Sequence, residues 1–353
     1  MTETQCDGEE MTGMRPVYQK HGPTQRGWLM LGTNGGPCDK SCQMCYYRHE
    51  TDKRWFAHES LLNAAHRIRH YYGLEYCTLS GGEPTIYPRI VGLVRHCANI
   101  GLQPLINTHG QHCDAEFVAQ VEEAGLAHWI VSVQGLGDEH DIIINDPGGW
   151  QRTTENLKHM TRPVLINTTV MEQNYLTLPS FATWLIDNLE PTVWHMLNFL
   201  PFGWEGKDAP FEAKLENMGK YIATAILFAE AAGWEVNVQY HPFCVAADFG
   251  FERNVKGFYQ GQWSPWDWCV VTSQRVPLEM VREVGGMEAA RRKIVDGLMR
   301  VRRNEVCDTC RFQPICEMIS PDYAKRHGYD ELTPVEGEPV TDILYFENGG
   351  EFQ

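Results

Sequence analysis

The sequence predicts an α/β protein: a partial (β/α)6 barrel followed by a smaller C-terminal α+β domain that binds a metal cluster. Between Gly27 and Gly233, six apolar runs of strand-like composition are each followed by a segment of helical periodicity. This alternation is typical of a parallel sheet with right-handed crossovers. Six such units fit a partial barrel better than a complete eightfold barrel. Beyond Gly233 the regularity ends, and cysteines cluster again near residue 310.

The predicted elements follow one another in a regular order. Strands are expected at residues 28–31, 76–80, 103–107, 129–133, 164–170 and 193–200. Helices are expected between and after them, and the third helix begins at its N-cap Asp114 and ends at Gly125. The chain therefore divides into a loosely held arm (1–20), the barrel (21–233), an auxiliary cluster domain (234–320) and a C-terminal tail (321–353).

Composition narrows the class of protein. The chain has 353 residues, of which 43% are hydrophobic, so a sizeable core is expected. Its net charge of -16 argues against a nucleic-acid surface, because phosphate binding needs a basic footprint. Apolar runs stay far below the ~20 residues of a membrane span, and the N-terminus has no signal-peptide pattern. We therefore expect a cytoplasmic protein without a membrane or nucleic-acid partner.

Three cysteines dominate the loop after the first predicted strand. Cys38, Cys42 and Cys45 have C-x3-C-x2-C spacing within a glycine-rich segment. Thiolates this close along the chain converge on one point, and soft sulfur ligands favour an iron–sulfur cluster or zinc. A structural zinc site needs a fourth protein ligand, for which His49 is the nearby candidate. The spacing favours a three-cysteine cluster with one open iron.

A second motif follows the second predicted strand. Gly81, Gly82, Glu83 and Pro84 form a turn at the end of the strand where a barrel places its active site. Glycines at such a turn allow the main chain to approach a ligand closely. One strand away from the cysteine loop, this turn predicts a shared site.

Together these motifs resemble the signature of the radical S-adenosylmethionine (SAM) enzymes, in which an apolar residue, here Met44, precedes the third cysteine. The resemblance covers roughly residues 27–320. It implies a [4Fe–4S] cluster on Cys38, Cys42 and Cys45 that binds SAM and, reduced by a flavodoxin or ferredoxin, cleaves it to a 5'-deoxyadenosyl radical. The cofactor contacts that it implies are Met44, Gly81, Gly82, Glu83, Pro84, Thr108, Ser132 and Asn167. Ser132 and Asn167 are equally well explained as caps at strand ends.

The late cysteines form a second cluster motif. Cys307, Cys310 and Cys316 have C-x2-C-x5-C spacing, which is similar to the auxiliary-cluster segment of SPASM and twitch domains. Ser320 stands where the full SPASM pattern has another cysteine, which favours one auxiliary [4Fe–4S] cluster. Zinc is the alternative, because paired cysteines also build tetrahedral zinc sites.

The fourth ligand of this second cluster has to come from upstream. Cys244 is preferred because it ends a strand-like run beside a Pro-Phe turn, and Cys269 is the alternative. Asp267 and His241, in the aromatic-rich region before the cluster, are the candidates for acid–base catalysis.

The resemblance implies hydrogen abstraction from a substrate, with transfer of an electron to the auxiliary cluster in a net oxidation or rearrangement. We expect a small substrate that is sugar-like or nucleotide-linked. Modification of a ribosomally made peptide is the second possibility. An alternative of another class is a non-catalytic iron–sulfur electron carrier or a zinc protein.

Overall fold

A computed structural model describes the residue ranges 26–45, 47–71, 74–190, 192–199, 211–255, 305–316, 319, 321–341, 345–346 and 349–352. Two predicted site residues, Asp267 and Cys269, lie outside these ranges. The description therefore covers the barrel, the second cysteine motif and most of the C-terminal segment.

The barrel is a single parallel sheet whose strands lie side by side in sequence order. The strands are β1 (Arg26–Met30), β2 (Tyr76–Ser80), β3 (Gln103–Thr108), β4 (His128–Ser132), β5 (Val164–Val170), β6 (Val193–Asn198) and β7 (Glu235–Gln239). The predicted partial barrel is confirmed, but its strand count of six was wrong for this sheet. The seventh strand pairs with β6 and lies beyond the boundary predicted at Gly233.

Helices cover one face of the sheet. In the described part of the chain they are α1 (His58–His66), α2 (Ile90–Asn99), α3 (Ala115–Glu123), α4 (Asp138–Ile144), α5 (Gly149–Leu157), α6 (Leu178–Asn188), α7 (Leu215–Ala231), α8 (Phe243–Asp248) and α9 (Pro321–His327). The predicted N-cap of α3 is confirmed, because Oδ1 of Asp114 accepts the main-chain N–H of Phe117 at 2.9 Å. Among the described helices, none combines the length and apolar composition that crossing a bilayer requires.

The two faces of the sheet carry different cores. On the outer face, the fully buried Trp194 of β6 packs edge-on against Phe181 of α6 at 5.4 Å and donates its indole N–H to Thr168. On the inner face, a separate apolar cluster forms the floor of the barrel. It consists of Tyr76, Leu105, Ile130, Leu165 and Val193. Because successive strand residues alternate faces, residues two positions further along these strands point into the barrel above that floor.

The C-terminal segment, which the sequence predicts as a tail, is described at residues 321–341, 345–346 and 349–352, and it packs against the barrel. The main-chain N–H of Leu215, at the start of α7, donates to the Tyr323 hydroxyl at 2.8 Å. That hydroxyl donates in turn to Glu331, whose other oxygen accepts the N–H of Glu216. Burial raises the pKa of Tyr323 well above its usual value, and the neighbouring Glu331 adds to the shift. This segment therefore supplies acceptors for the first turn of α7.

Candidate functional site

The cysteine loop follows β1 at the carboxyl end of the sheet. Cys38, Cys42 and Cys45 are free, partly buried thiols. Burial raises the pKa of Cys38 to about 11 and that of Cys42 to about 12, and the neighbouring thiols add to both shifts. Such thiols stay protonated at neutral pH unless a cation displaces their protons. Three free thiols in one short loop are a donor set that suits a metal cluster.

The predicted glycine turn lies directly against this loop. The main-chain N–H of Glu83 donates to the carbonyl oxygen of Pro37, next to Cys38, at 2.9 Å. A Cβ on Gly82 would lie 1.9 Å from the same oxygen, and Gly82 has a positive φ of 62°. Only glycine fits this position, because both the close approach and the backbone angle exclude a side chain. The structure thus brings two motifs that are distant in the sequence into main-chain contact.

The side chain of Glu83 is buried and fully engaged. One carboxylate oxygen accepts the N–H and hydroxyl of Thr85 and the hydroxyl of Thr108, and the other accepts the N–H of His109 at 2.9 Å. Glu83 is 1% exposed, so these bonds compensate for burying its charge. Glu83 and Thr108 therefore join the ends of β2 and β3. A contact between Glu83 and a cofactor amino group would require sharing or breaking one of these bonds.

A charged network that the sequence analysis missed fastens the cysteine loop to the end of β3. Nδ1 of His109 accepts the main-chain N–H of Gln111, so its proton lies on Nε2, which donates to Asp39 at 3.0 Å. His112 contacts the other oxygen of Asp39 at 3.0 Å. The hydrogen bond between Asp39 and His109 holds the pKa of the Asp39 carboxyl well below its usual range. Lys40 extends the network to a second carboxylate in the next loop.

A row of polar side chains crosses the barrel interior above the apolar floor. In the register of β4 to β7, Ser132 pairs with Asn167, Asn167 with His195, and His195 with Asn237. Paired residues of neighbouring parallel strands lie ~4.8 Å apart on one face. The structure therefore places the predicted residues Ser132 and Asn167 in one row. It adds His195 and Asn237, both more than 90% buried, which sequence reasoning missed.

Asn237 carries an unused hydrogen-bond acceptor. Its Nδ2 donates to Glu235 at 3.0 Å, which fixes the orientation of the amide. Its Oδ1 is buried and has no hydrogen-bond partner among the described residues. Buried polar atoms are rarely left unpaired, so a bound group that donates a hydrogen bond fits this position.

Met44 reaches across the mouth of the barrel. It packs against a cluster made of Ile143, Met171, Phe199 and Phe211. Met171 and Phe199 directly follow β5 and β6, so the cysteine loop contacts the opposite side of the sheet through this side chain.

The second cysteine motif forms a separate cavity. Cys244, at the start of α8, lines it together with Cys307, Cys310 and Cys316. Burial raises the pKa of Cys244. Four soft ligands around one largely apolar cavity fit a [4Fe–4S] cluster, and they also fit zinc. The structure thus brings together Cys244 and the three late cysteines.

His241 has the surroundings of a structural residue. It is fully buried against Phe251, and burial lowers its pKa to about 3. Its Nδ1 contacts Nδ2 of Asn198 at 2.6 Å. Asn198 shares the strand face of Trp194, which packs outward against the helices. These surroundings do not favour the predicted acid–base role of His241.

Comparisons with known proteins agree with this geometry. Residues 35–180 match the family model of the Radical SAM superfamily. An AdoMet-dependent heme synthase of Oleidesulfovibrio alaskensis is 27% identical over 161 residues, which cover 44% of this chain and 38% of that protein. A PqqA peptide cyclase of Bradyrhizobium diazoefficiens is 27% identical over 41% of this chain and 40% of its own length. The chain therefore matches less than half of the length of either relative.

A solved structure shares the fold. SuiB of Streptococcus suis, bound to its precursor peptide SuiA, superposes with a TM-score of 0.51 and 16% identity, covering 64% of this chain and 51% of SuiB. The superfamily uses a [4Fe–4S] cluster and SAM, and the cysteine loop with its glycine turn has the residues that fit them. The four cysteines of the second cavity fit an auxiliary cluster. By sequence, residues 35–180 of the chain are a Radical SAM domain, and the cysteine loop and the glycine turn both lie within them.

Proposed function

We propose that this chain is a radical SAM enzyme that oxidises a small polar substrate with the help of an auxiliary [4Fe–4S] cluster. The observation that carries the proposal is the main-chain contact between Gly82 and Pro37. This contact holds the glycine turn against the three-cysteine loop at the carboxyl end of the barrel. An electron carrier or a zinc protein has no need for this turn.

The residues of the site have distinct tasks in this proposal. Cys38, Cys42 and Cys45 hold the first cluster, and the main chain of Gly81 and Gly82 lines the SAM site. When bound, the clusters and SAM supply the radical chemistry: an electron from a flavodoxin or ferredoxin yields a 5'-deoxyadenosyl radical that abstracts hydrogen from the substrate. The surrounding chain orients the reactants and keeps water out.

The auxiliary site supports a net oxidation. A substrate radical left by hydrogen abstraction must lose one further electron, together with a proton to solvent or a base, to give a closed-shell oxidised product. Cys244, Cys307, Cys310 and Cys316 line a single cavity in which a cluster would accept that electron. We assign the fourth ligand to Cys244, because it shares this cavity with the late cysteines.

The polar interior supports a small, sugar-like or nucleotide-linked substrate. Ser132, Asn167, His195 and Asn237 lie in one row directly above the barrel floor. Oδ1 of Asn237 has no hydrogen-bond partner in the described part of the chain, so a donor on the substrate fits there. Hydroxyl groups are such donors. Modification of a ribosomally made peptide is the second candidate, favoured by the match to the PqqA peptide cyclase.

Hydrogen abstraction can be followed without knowing the substrate. The reconstituted protein, SAM and a reductant are incubated with either the small-molecule or the peptide fraction of cells grown in deuterated medium. Deuterium in 5'-deoxyadenosine from the small-molecule fraction supports the proposal, and deuterium from the peptide fraction supports the second candidate. SAM cleavage without deuterium from either fraction would contradict both substrate classes.

A further inference from the structure

The C-terminal segment covers the cavity of Cys244 and the three late cysteines. Leu332, Pro334 and Phe352 line that cavity beside the cysteines, although they lie 16 or more positions after Cys316. Their side chains are apolar, so they present no ligand to a metal. They have instead the character of a cover.

Main-chain hydrogen bonds fasten this cover to both cysteine-bearing segments. Two main-chain N–H groups donate to the sulfur of Cys244, that of Val245 within α8 and that of Thr333 from this segment. The N–H of Arg311, next to Cys310, donates to the carbonyl of Val335 at 2.7 Å, and the N–H of Val340 donates to the carbonyl of Arg311 at 2.7 Å. The segment is therefore held at a fixed position over the cysteines.

Aromatic rings close the cavity from the same side. Phe352 stacks on Phe312 with ring centroids 5.0 Å apart and planes only 9° apart. Phe346 contacts Phe312 at 5.4 Å and Phe243 at 4.9 Å. Phe243, Phe312 and Phe346 are each at least 98% buried. Such a ring cluster keeps water away from whatever the cysteines hold.

We propose that Leu332, Thr333, Pro334 and Phe352 form a cap on the auxiliary cluster, in which the N–H of Thr333 tunes the reduction potential and Phe352 excludes solvent. This inference rests on the proposed function, in which the four cysteines hold a cluster. A hydrogen bond to a ligating sulfur withdraws charge and stabilises the reduced, more negative cluster. Thr333 is thus a positioning residue that acts through Cys244.

The potential of the auxiliary cluster tests the role of Thr333. The full chain carrying Cys38→Ala, Cys42→Ala and Cys45→Ala serves as the parent, because it isolates the second cluster. Thr333→Pro removes the N–H, whereas the matched Thr333→Ala keeps it. In a redox titration followed by electron paramagnetic resonance, we expect a lower midpoint potential for Thr333→Pro and an unchanged one for Thr333→Ala. Equal potentials in both variants and the parent would overturn the tuning role.

A second variant leaves the main chain untouched. Phe352→Ala opens the cavity, and Tyr329→Ala is the matched control because Tyr329 is an exposed ring of the same segment. We expect the visible absorbance of the cluster to bleach several-fold faster in air for Phe352→Ala only. Equal bleaching in the two variants would overturn the cover. If the parent binds no iron and sulfide, both the cap and the auxiliary cluster of the proposed function are overturned. If the parent holds its cluster but the variants change neither the potential nor the bleaching rate, the cap alone is overturned.

Discussion

His109 donates a hydrogen bond from Nε2 to Oδ1 of Asp39 at 3.0 Å, which ties the end of β3 to the residue that follows the first cysteine of the loop. Both ring nitrogens of His109 are engaged, since Nδ1 accepts the main-chain N–H of Gln111. His109 is 9% exposed, so this contact is shielded from solvent. The pair is a side-chain link between the cysteine loop and the end of β3.

Loss of this link is expected to loosen the first cluster. In His109→Ala, Asp39 loses its buried partner, and the reconstituted protein should release iron to a chelator several-fold faster than the wild type. His112→Ala is the control, because His112 contacts the same carboxylate from a more exposed position. Iron release as slow in His109→Ala as in His112→Ala would show that the pair does not hold the loop.

Substitution of Gly82 is expected to separate the glycine turn from the cysteine loop. The added Cβ of Gly82→Ala meets the Pro37 carbonyl at 1.9 Å, a clash that the main chain must relieve by moving. SAM affinity of the reconstituted protein, measured by calorimetry, should fall by at least about tenfold, equivalent to ~1.4 kcal/mol.

Gly92→Ala is the matched control for that substitution. A Cβ on Gly92, within α2, meets nothing within 4 Å. Alanine is a better helix former than glycine by up to about 1 kcal/mol, so this variant should be as stable as the wild type or more so. Unchanged SAM affinity in Gly82→Ala would contradict the assigned role of the turn.

The C-terminal segment is expected to stabilise the barrel. In Tyr323→Phe, the buried N–H of Leu215 loses its acceptor, which should lower the free energy of unfolding by about 1–3 kcal/mol. Tyr329→Phe, at an exposed position, should change it by less than about 0.5 kcal/mol. Denaturant titrations measure the free energy of unfolding of both variants. Equal values for Tyr323→Phe and the wild type would show that the segment is only loosely attached.

Stability is expected to fall in mild acid because two histidines are buried in the neutral form. Burial lowers the pKa of His140 to about 4 and that of His241 to about 3. In the unfolded chain each titrates near its usual pKa of ~6.5. The unfolded state therefore binds more protons below that value, and the free energy of unfolding should decrease from about pH 7 to about pH 5.

A substitution identifies the origin of that acid effect. His140→Gln removes one titrating group and should flatten the dependence by up to about 1.4 kcal/mol per pH unit. His70→Gln, at an exposed position, should leave the slope unchanged. The same slope in His140→Gln and the wild type would show that another group causes the loss.

The predictable parts of the fold and site are local in the sequence. The cysteine spacing and the glycine turn each lie within one short segment, and apolar runs located the first six strands. The sequence did not reveal β7, because its residues Glu235, Asn237 and Gln239 are polar and face the barrel interior. Only Val236 and Val238 contribute apolar character, which is a weak strand signal. A strand that lines a polar interior looks like a loop when its inward face is read as solvent-exposed.

The missed site residues depend on contacts between distant segments. His109 and Asp39 are 70 positions apart, and their contact requires the end of β3 to lie beside the loop after β1. His195 and Asn237 join Ser132 and Asn167 only through the register of neighbouring strands. The acid–base role of His241 stays a prediction, and strand parity, which directs its partner Asn198 toward the helices, is what counts against it.

In the proposed function, the Cys38–Cys45 loop and the Gly81 turn form a SAM-cleaving site. The most direct test is the formation of 5'-deoxyadenosine by anaerobically reconstituted protein with dithionite and SAM. We predict product with the wild type and with Cys310→Ala, which keeps the first cysteine loop intact, and none with Cys42→Ala. The absence of 5'-deoxyadenosine from wild-type protein with its first cluster intact would contradict the claim.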